Sequence, residues 1–95
     1  MSALVELIVP PASAGAVADF LAENKVAFIE FSGGFFAPGL ALAGAEAVEG
    51  RQKMTLFRLY CDDYAGLIGD LKAHFPLGGW DYFVIVPTAS GRIGG

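Results

Sequence analysis

Cysteine and charge are both scarce in this chain. The single cysteine, Cys61, excludes a disulfide framework and a four-cysteine zinc site, and we expect it to be a reduced thiol. Charged residues make up 17% of the sequence, and ten acidic residues outnumber six lysines and arginines, which gives a net charge of −4. A dedicated nucleic-acid binder needs a basic face to neutralise phosphates, so no nucleic-acid partner is expected.

Long hydrophobic runs and catalytic patterns are also lacking. No apolar run reaches the roughly 18–20 residues that span a bilayer, and the first residues lack the basic start of a signal peptide. We therefore expect a cytoplasmic protein without direct membrane insertion. One histidine and one cysteine, with no base–nucleophile pattern, predict that the chain is not an enzyme. Gly39 and Gly44 have phosphate-loop spacing, but Ala45 and Glu46 follow where lysine and serine or threonine are needed.

Apolar residues are abundant, at 55% of the 95 residues, which excludes a disordered chain and predicts a single domain over residues 1–95. Short apolar runs predict strands, and periodic apolar stripes predict two helices, the first capped by Ser13 and the second by Asp62 or Asp63. The second helix is expected to run to about His74, with an apolar stripe formed by Tyr64, Leu67, Ile68, Leu71 and Phe75. The resulting order is βαββαβ, an α+β ferredoxin-like plan with an antiparallel sheet in strand order 4-1-3-2 and both helices on one face. The predicted strands are residues 4–9, 26–32, 51–61 and 80–86.

A long connection, residues 33–50, joins the second and third predicted strands. Gly33 and Gly34 are expected to end the second strand, and the alanine-rich residues 40–49 are predicted to form a helical turn or two. Connections of this length are uncommon in so small a domain and are often functional.

The sheet face that the helices leave bare is predicted to be apolar, which is unusual for a face that meets water. Two helices cover only one side of four strands, yet both sets of alternating residues in the strands are largely apolar. We therefore expect an obligate oligomer packed through this face. Glu6, Arg58 and Glu30 are candidates for a cross-strand charge pair or triad there, and the alternative is that each reaches solvent at the sheet edge.

Several short motifs, spread over nearly the whole chain, resemble those of one protein family. They are residues 45–51 after the long connection, Phe57 six residues beyond Arg51, the Val9-Pro10-Pro11 exit from the first strand, and the closing Ser90-Gly91-Arg92. Together these resemble a poorly characterised branch of the PII-like superfamily, whose relatives are PII signalling proteins and divalent-ion tolerance proteins.

The resemblance implies a trimeric regulatory or sensor protein whose sheets face a three-fold axis. It implies that residues 33–50 form the partner-binding arm called the T-loop, and that clefts between subunits bind nucleotides or other small anions. The branch tends to be encoded beside cation-efflux systems, which implies a membrane transporter as partner. The sequence departs from the nucleotide-sensing members in that residues 76–79 contain no lysine or arginine, which argues against ATP or ADP.

A small-anion site is predicted where basic residues and exposed backbone amides come together. The candidate residues are Gly33, Gly34, Arg51, Lys53 and Arg92, the last from the same or a neighbouring subunit. The alternative is that the two cations of the third strand only pair with Glu46 or Glu49 at a solvated strand end.

A metal site is less favoured by the spacing of its candidate ligands. Cys61 and His74 lie at opposite ends of one predicted helix, too far apart for one site within a chain. Asp62 and Asp63 are better explained as helix caps, and Cys61 as a small core residue. No metal site within the chain and no cofactor are therefore expected, and a metal bound between chains is left as an alternative to the anion.

Apolar residues on the long connection predict a docking element for a partner protein. They are Phe35, Phe36, Pro38 and Leu40. The alternative is that these side chains fold back under the connection or pack on a sister subunit. Two other functions stay open: an interaction module without a small ligand, and a small ferredoxin-like monooxygenase or isomerase with a pocket between sheet and helices.

Overall fold

The computed structural model describes residues 3–36, 47–48 and 51–94. It contains a sheet with two helices, in an order that confirms the predicted βαββαβ pattern and adds one short strand. The elements are β1 (Ala3–Val9), α1 (Pro11–Glu23), β2 (Phe28–Phe36), β3 (Ala47–Val48), β4 (Arg51–Cys61), α2 (Tyr64–His74) and β5 (Asp81–Ile85).

The sheet is antiparallel, with the strands in the order β2-β4-β1-β5. Counting only the four long strands, this is the predicted order 4-1-3-2 read from the opposite edge. The short strand β3 lies beside the beginning of β4, where Gln52 is opposite both Phe36 of β2 and Ala47 of β3. The strand β3 therefore continues the sheet beyond the end of β1, on the other edge of β4 from β2.

Two prolines separate β1 from α1. Strand β1 ends at Val9, and Pro11 occupies the first helical position, where its missing N–H and restricted φ cost nothing. The helix thus begins before Ser13, so the prediction that Ser13 caps it is wrong. At the other end, the Asn24 side-chain amide donates to the Phe20 carbonyl at 2.8 Å.

Helix α2 confirms the sequence-based prediction at both ends. The Asp63 carboxylate accepts a hydrogen bond from the Gly66 amide at 3.0 Å, and the helix ends at His74. Its buried side chains, Leu67, Ile68 and Leu71, belong to the predicted apolar stripe. An aspartate at this position satisfies one of the amides that the first turn of a helix leaves unpaired.

The main core lies between the helices and one face of the sheet. Alternate residues of β1 and β4 point into it, and the fully buried Phe57 is the largest of them. The more apolar alternate set of β4, formed by Thr55, Phe57, Leu59 and Cys61, is predicted from the sequence to face the helices, and the core confirms this for Phe57 and Leu59. Both helices lie on this side of the sheet. The sheet contributes Val5, Leu7, Val9, Phe57 and Leu59, and the helices contribute Ala14, Val17, Phe20, Leu21, Leu67, Ile68 and Leu71.

The second strand is longer and less regular than predicted. It does not end at Gly33 and Gly34, because β2 passes through them to Phe36, with a shift of register between Phe31 and Gly34. Gly33 has φ +81°, which favours glycine, and a Cβ on Gly34 would meet the Met54 sulfur at 2.6 Å. These glycines therefore permit an irregular strand rather than terminating a regular one.

The described parts of the predicted connection, residues 33–50, are strands. Residues 33–36 belong to β2, and Ala47 and Val48 form β3 rather than a helical turn. Residues 37–46 and 49–50 lie outside the described residues, and so does the rest of the helical turn predicted over residues 40–49.

Candidate functional site

One end of the sheet gathers the elements that the sequence associates with ligand binding. Because the strands are antiparallel, β1 and β2 end there and β4 and β5 begin there. The register shows this, since Val9 is opposite Thr55, Ile8 is opposite Asp81, and Phe36 is opposite Gln52. We call this end the loop end, because the connection from β2 to β4 leaves and returns there.

Four of the five predicted anion-site residues lie at the loop end. Gly33 and Gly34 are in the irregular part of β2, beside β4, and Gly34 is opposite Met54. Arg51 and Lys53 are in the first residues of β4, two positions apart. The fold thus brings the two glycines and the two cations onto one pair of neighbouring strands. Glu46 and Glu49, the alternative partners of the cations, lie outside the described residues.

Arg92 is separated from these four residues by the course of β5. That strand begins at the loop end and finishes at the opposite end, where Ile85 is opposite Leu4. The exposed tail that carries Arg92 therefore leaves the sheet at the far end from Arg51 and Lys53. Its membership of an anion site stays a prediction.

Two of the four predicted partner-binding residues lie in a strand, and the other two lie outside the residues that the structure describes. Phe35 and Phe36 are in β2, opposite Lys53 and Gln52 respectively, so their assignment to a loop is wrong. The strand continues past the glycines because the irregularity restores pairing with β4. The Phe35 side chain is exposed, as a docking element requires. Pro38 and Leu40 lie outside the described residues.

An open cleft of about 210 Å³ lies where α2 ends and β5 begins. Its apolar floor includes Leu7 and Ile68, and its mouth carries Lys72 and Asp81. The Lys72 ammonium stands 5.5 Å from the centre of the Tyr82 ring, within cation–π range. Sequence reasoning missed this cleft. The only features of the sequence that pointed to it were the proline and glycines of residues 76–79, which end the helix, and Lys72, which lies one helical turn after Ile68.

A second shallow cleft, of about 340 Å³, continues from the first along the outer side of α2 and β5. The two share Ile68, Lys72 and Tyr82, and the second adds Tyr64 and Val84. Both are open to solvent, so neither is the enclosed pocket that would favour the monooxygenase or isomerase alternative.

Aromatic rings close the space behind the first cleft. The His74 ring contacts Phe20 in a tilted arrangement and Phe75 edge-on, with ring centres 4.9 and 4.7 Å away, and Phe75 lies 4.8 Å from Trp80. This packing connects the end of α2 to α1 and to the start of β5. It gives His74 a structural role at the end of its helix.

The candidate metal ligands are dispersed. Cys61 is partly buried against the core, Asp63 caps α2, and His74 is in the aromatic cluster at the other end of that helix. In residues 3–36, 47–48 and 51–94, no group of three or more His, Cys, Asp or Glu could hold a metal ion. Among these same residues, no helix is long and apolar enough to cross a membrane.

The sheet face away from the helices, here called the bare face, is rich in exposed apolar side chains. Five large ones are between 44% and 57% exposed: Ile29, Phe31, Tyr60, Phe83 and Ile85. The register places them on one side, because residues directly opposite each other in antiparallel strands share a face. Ile8 and Met54, with Leu56, form a small apolar cluster on the same face.

The predicted charge pair lies in the middle of the bare face. Arg58 donates from Nε at 2.9 Å and from Nη2 at 2.7 Å to the Glu6 oxygen Oε2, and its guanidinium lies 5.7 Å from the centre of the Phe31 ring. Glu30 is not part of this cluster. It is opposite Phe57 on the helix-covered face, one position out of phase with Ile29, which is opposite Arg58.

Comparison with known proteins identifies the fold. No protein-family model matches the sequence, and no curated protein matches it. A solved structure of CPII, a nitrogen regulatory PII-like protein from Thiomonas intermedia K12 bound to ADP, AMP and bicarbonate, aligns with 97% of this chain and 96% of its own. The TM-score is 0.68 and the identity 13%, so the two chains share the ferredoxin-like fold of a PII-like protein.

Proposed function

We propose that this chain is a homotrimeric PII-like regulatory protein of the cytoplasm, without enzymatic activity, that binds a small anion between subunits. The observation that carries the proposal is the bare face, whose five exposed apolar side chains need a cover that one chain does not supply. The PII-like fold of CPII supports the same reading.

Burial of the bare face contributes free energy on the scale that association requires. Five half-exposed large side chains amount to on the order of 500 Å² per protomer, or about 12 kcal/mol at the usual value for apolar area. Association costs roughly 4–15 kcal/mol. The gain on each protomer is thus of the same size as this cost, so covering the face on every protomer at once favours an oligomer.

Native mass spectrometry at micromolar concentration tests the assembly. We expect three copies for the wild-type chain. Ile29→Asp, which puts a charge on the bare face, is expected to give monomers. Leu77→Asp is the control, because Leu77 is 93% exposed and lies in the turn between α2 and β5. A wild-type monomer with a hydrated bare face contradicts the proposal.

The anion is proposed to bind at the loop end, in a cleft between protomers. Arg51 and Lys53 supply positive charge there in a chain whose net charge is −4, and Gly33 and Gly34 lie on the neighbouring strand. CPII was solved with ADP, AMP and bicarbonate. Residues 76–79 offer no basic side chain for a nucleotide phosphate, which favours an anion of the size of bicarbonate or phosphate.

Isothermal titration and thermal shift of the assembled protein test this site with bicarbonate, phosphate, AMP and ADP. We expect bicarbonate or phosphate to raise the melting temperature by mass action. The double variant Arg51→Gln with Lys53→Gln should abolish the response. Lys25→Gln, at the end of α1, is the matched control and should respond as wild type. Zn²⁺ and Co²⁺ in the same screen test the alternative, a metal between subunits.

A membrane transporter of the cation-efflux type is proposed as the regulated partner. The support is the resemblance of the motifs and the exposure of Phe35 near the connection that leaves β2. Phe35→Ala is expected to weaken capture of such a transporter from detergent-solubilised membranes, while leaving the oligomer intact. If this variant captures the transporter as well as wild type does, Phe35 is not part of the contact.

A second candidate function is an interaction module without a small ligand. The exposed Phe35 favours it, because an exposed apolar side chain at the end of a strand can contact a partner protein whether or not a small ligand regulates that contact. No thermal shift with any of the anions or metals, together with an intact oligomer, would make it the better proposal.

A further inference from the structure

One row of residues crosses the bare face from strand to strand. It runs from Ile29 through Arg58 and Glu6 to Phe83, with the two charged residues on the two central strands. The row towards one end of the sheet contains Leu4, Tyr60 and Ile85. The row towards the other end contains Phe31, Leu56 and Ile8 and finishes at Asp81 of β5. Apolar side chains therefore surround the ion pair except towards Asp81, which lies diagonally across from Glu6.

The pair uses only part of its hydrogen-bonding capacity within one chain. Both bonds from Arg58 end on the Glu6 oxygen Oε2. A carboxylate has a second oxygen, and a guanidinium has five N–H donors, so acceptor Oε1 and several donors remain. The Arg58 side chain is 43% exposed and that of Glu6 is 18% exposed. Both side chains are therefore accessible from the outer side of the bare face.

The covering surface must satisfy these groups. A purely apolar partner would bury donors without acceptors, which is costly for a charged group. An acidic partner could pair with Arg58, but it would meet the Glu6 carboxylate beside it. A second copy of this chain carries the matching set, because its own Glu6 has a remaining acceptor and its own Arg58 has remaining donors.

We propose that the Glu6–Arg58 pair selects a second copy of this chain as the occupant of the bare face, with Arg58 of each protomer donating to Glu6 of the next. The inference rests on the homo-oligomer of the proposed function and adds the determinant of its partner choice and register. In a cyclic assembly every protomer both gives and receives this contact, so no charge is left unpaired.

Charge reversal tests the proposal by native mass spectrometry of the full chain. Glu6→Arg alone and Arg58→Glu alone bring like charges together, and each is expected to raise the dissociation constant at least about 100-fold. The double variant with both reversals should assemble as wild type does. Glu30→Arg is the matched control: it reverses the same charge on the other face of the sheet and should assemble normally.

Mixing separates a contact between protomers from one confined to a protomer. When wild type and the double reversal are unfolded together and refolded, we expect mixed oligomers well below their statistical share, because each mixed contact sets arginine against arginine or glutamate against glutamate. Statistical mixing overturns the inference while leaving the homo-oligomer standing. A wild-type monomer overturns both.

Circular dichroism establishes that each variant folds. If Glu6→Arg does not fold, Glu6→Gln replaces it, since this change keeps the shape and removes the charge. About tenfold weaker assembly is then expected, and unchanged assembly contradicts the inference.

Discussion

The two faces of the sheet have similar apolar content but opposite surroundings. In β1, Val5 and Leu7 point into a core sealed by α1 and α2, whereas Leu4 and Ile8 point to the bare face. A sheet that meets water on one side normally alternates apolar with polar residues. The difference teaches that the fold of one chain covers only one of two apolar faces, and the proposed assembly would cover the other.

The faces also differ in how charge is used. Among the described residues that pack into the main core there is no charged side chain, while the bare face has the Glu6–Arg58 pair at its centre. The covered face needs no directional contact to select its helices, because they are connected to the sheet in the same chain. A face that must choose a separate molecule gains from a directional contact, which is why we assign partner choice to the pair.

Removing a ring from the covered face should have the largest effect. Phe57→Ala is expected to lower the free energy of unfolding by about 3–5 kcal/mol, because it leaves a cavity beneath the helices. Urea denaturation followed by circular dichroism measures this loss. A loss below about 1 kcal/mol would contradict the assignment of Phe57 to a closed core.

The same change on the bare face should act on association instead. Phe83 is 44% exposed in the single chain, so Phe83→Ala removes about 90 Å² from a contact with another copy, or about 2 kcal/mol per protomer. Dilution monitored by analytical ultracentrifugation should show dissociation at higher concentration than wild type. An unchanged dissociation constant would break the comparison between the faces.

The stability of the core on the covered face also depends on the cap that begins α2. Asp63→Ala removes the cap of α2 and is expected to lower the free energy of unfolding by about 1 kcal/mol. Asp63→Asn keeps a capping oxygen and should lose a few tenths at most. Thermal unfolding of the two variants, measured side by side, checks the difference. Equal losses would argue against a capping role.

An isolated exposed apolar residue should have the smallest effect. Leu77 is 93% exposed and lies outside the bare face, so Leu77→Ser is expected to change the free energy of unfolding by less than about 0.5 kcal/mol. Its dissociation constant should match that of wild type. A larger change in either quantity would mean that exposed apolar residues outside the bare face are also buried by a partner, which would contradict the special role of that face.

Much of the fold was predictable because its signals are local. Prolines after Val9 end the first strand, an aspartate before Tyr64 caps a helix, and the alternation in β4 identifies the residues of that strand that face the helices. Handedness rules then select the strand order from few alternatives. Four of the predicted anion-site residues lie at one end of the sheet, while their binding of an anion stays a prediction, and the cleft beside Lys72 was missed.

The errors in the sheet share a physical cause, which is strand register. One irregularity at Gly33 carries β2 on to Phe36 and turns two supposed loop residues into strand residues. One step of register puts Ile29, not Glu30, beside Arg58 and so decides which charges meet. Local chemistry does not encode such alignments, because they depend on hydrogen bonds between distant segments.

The sequence by itself determined the order of the four long strands and the two helices, and that both sheet faces are apolar, since these follow from side-chain periodicity and from capping and breaking residues. Only the tertiary structure decided that Glu6 holds Arg58 while Glu30 stands on the other face, and that a cleft opens between α2 and β5. Those outcomes depend on how segments far apart in the chain align, and that alignment is settled when the sheet and its core form together.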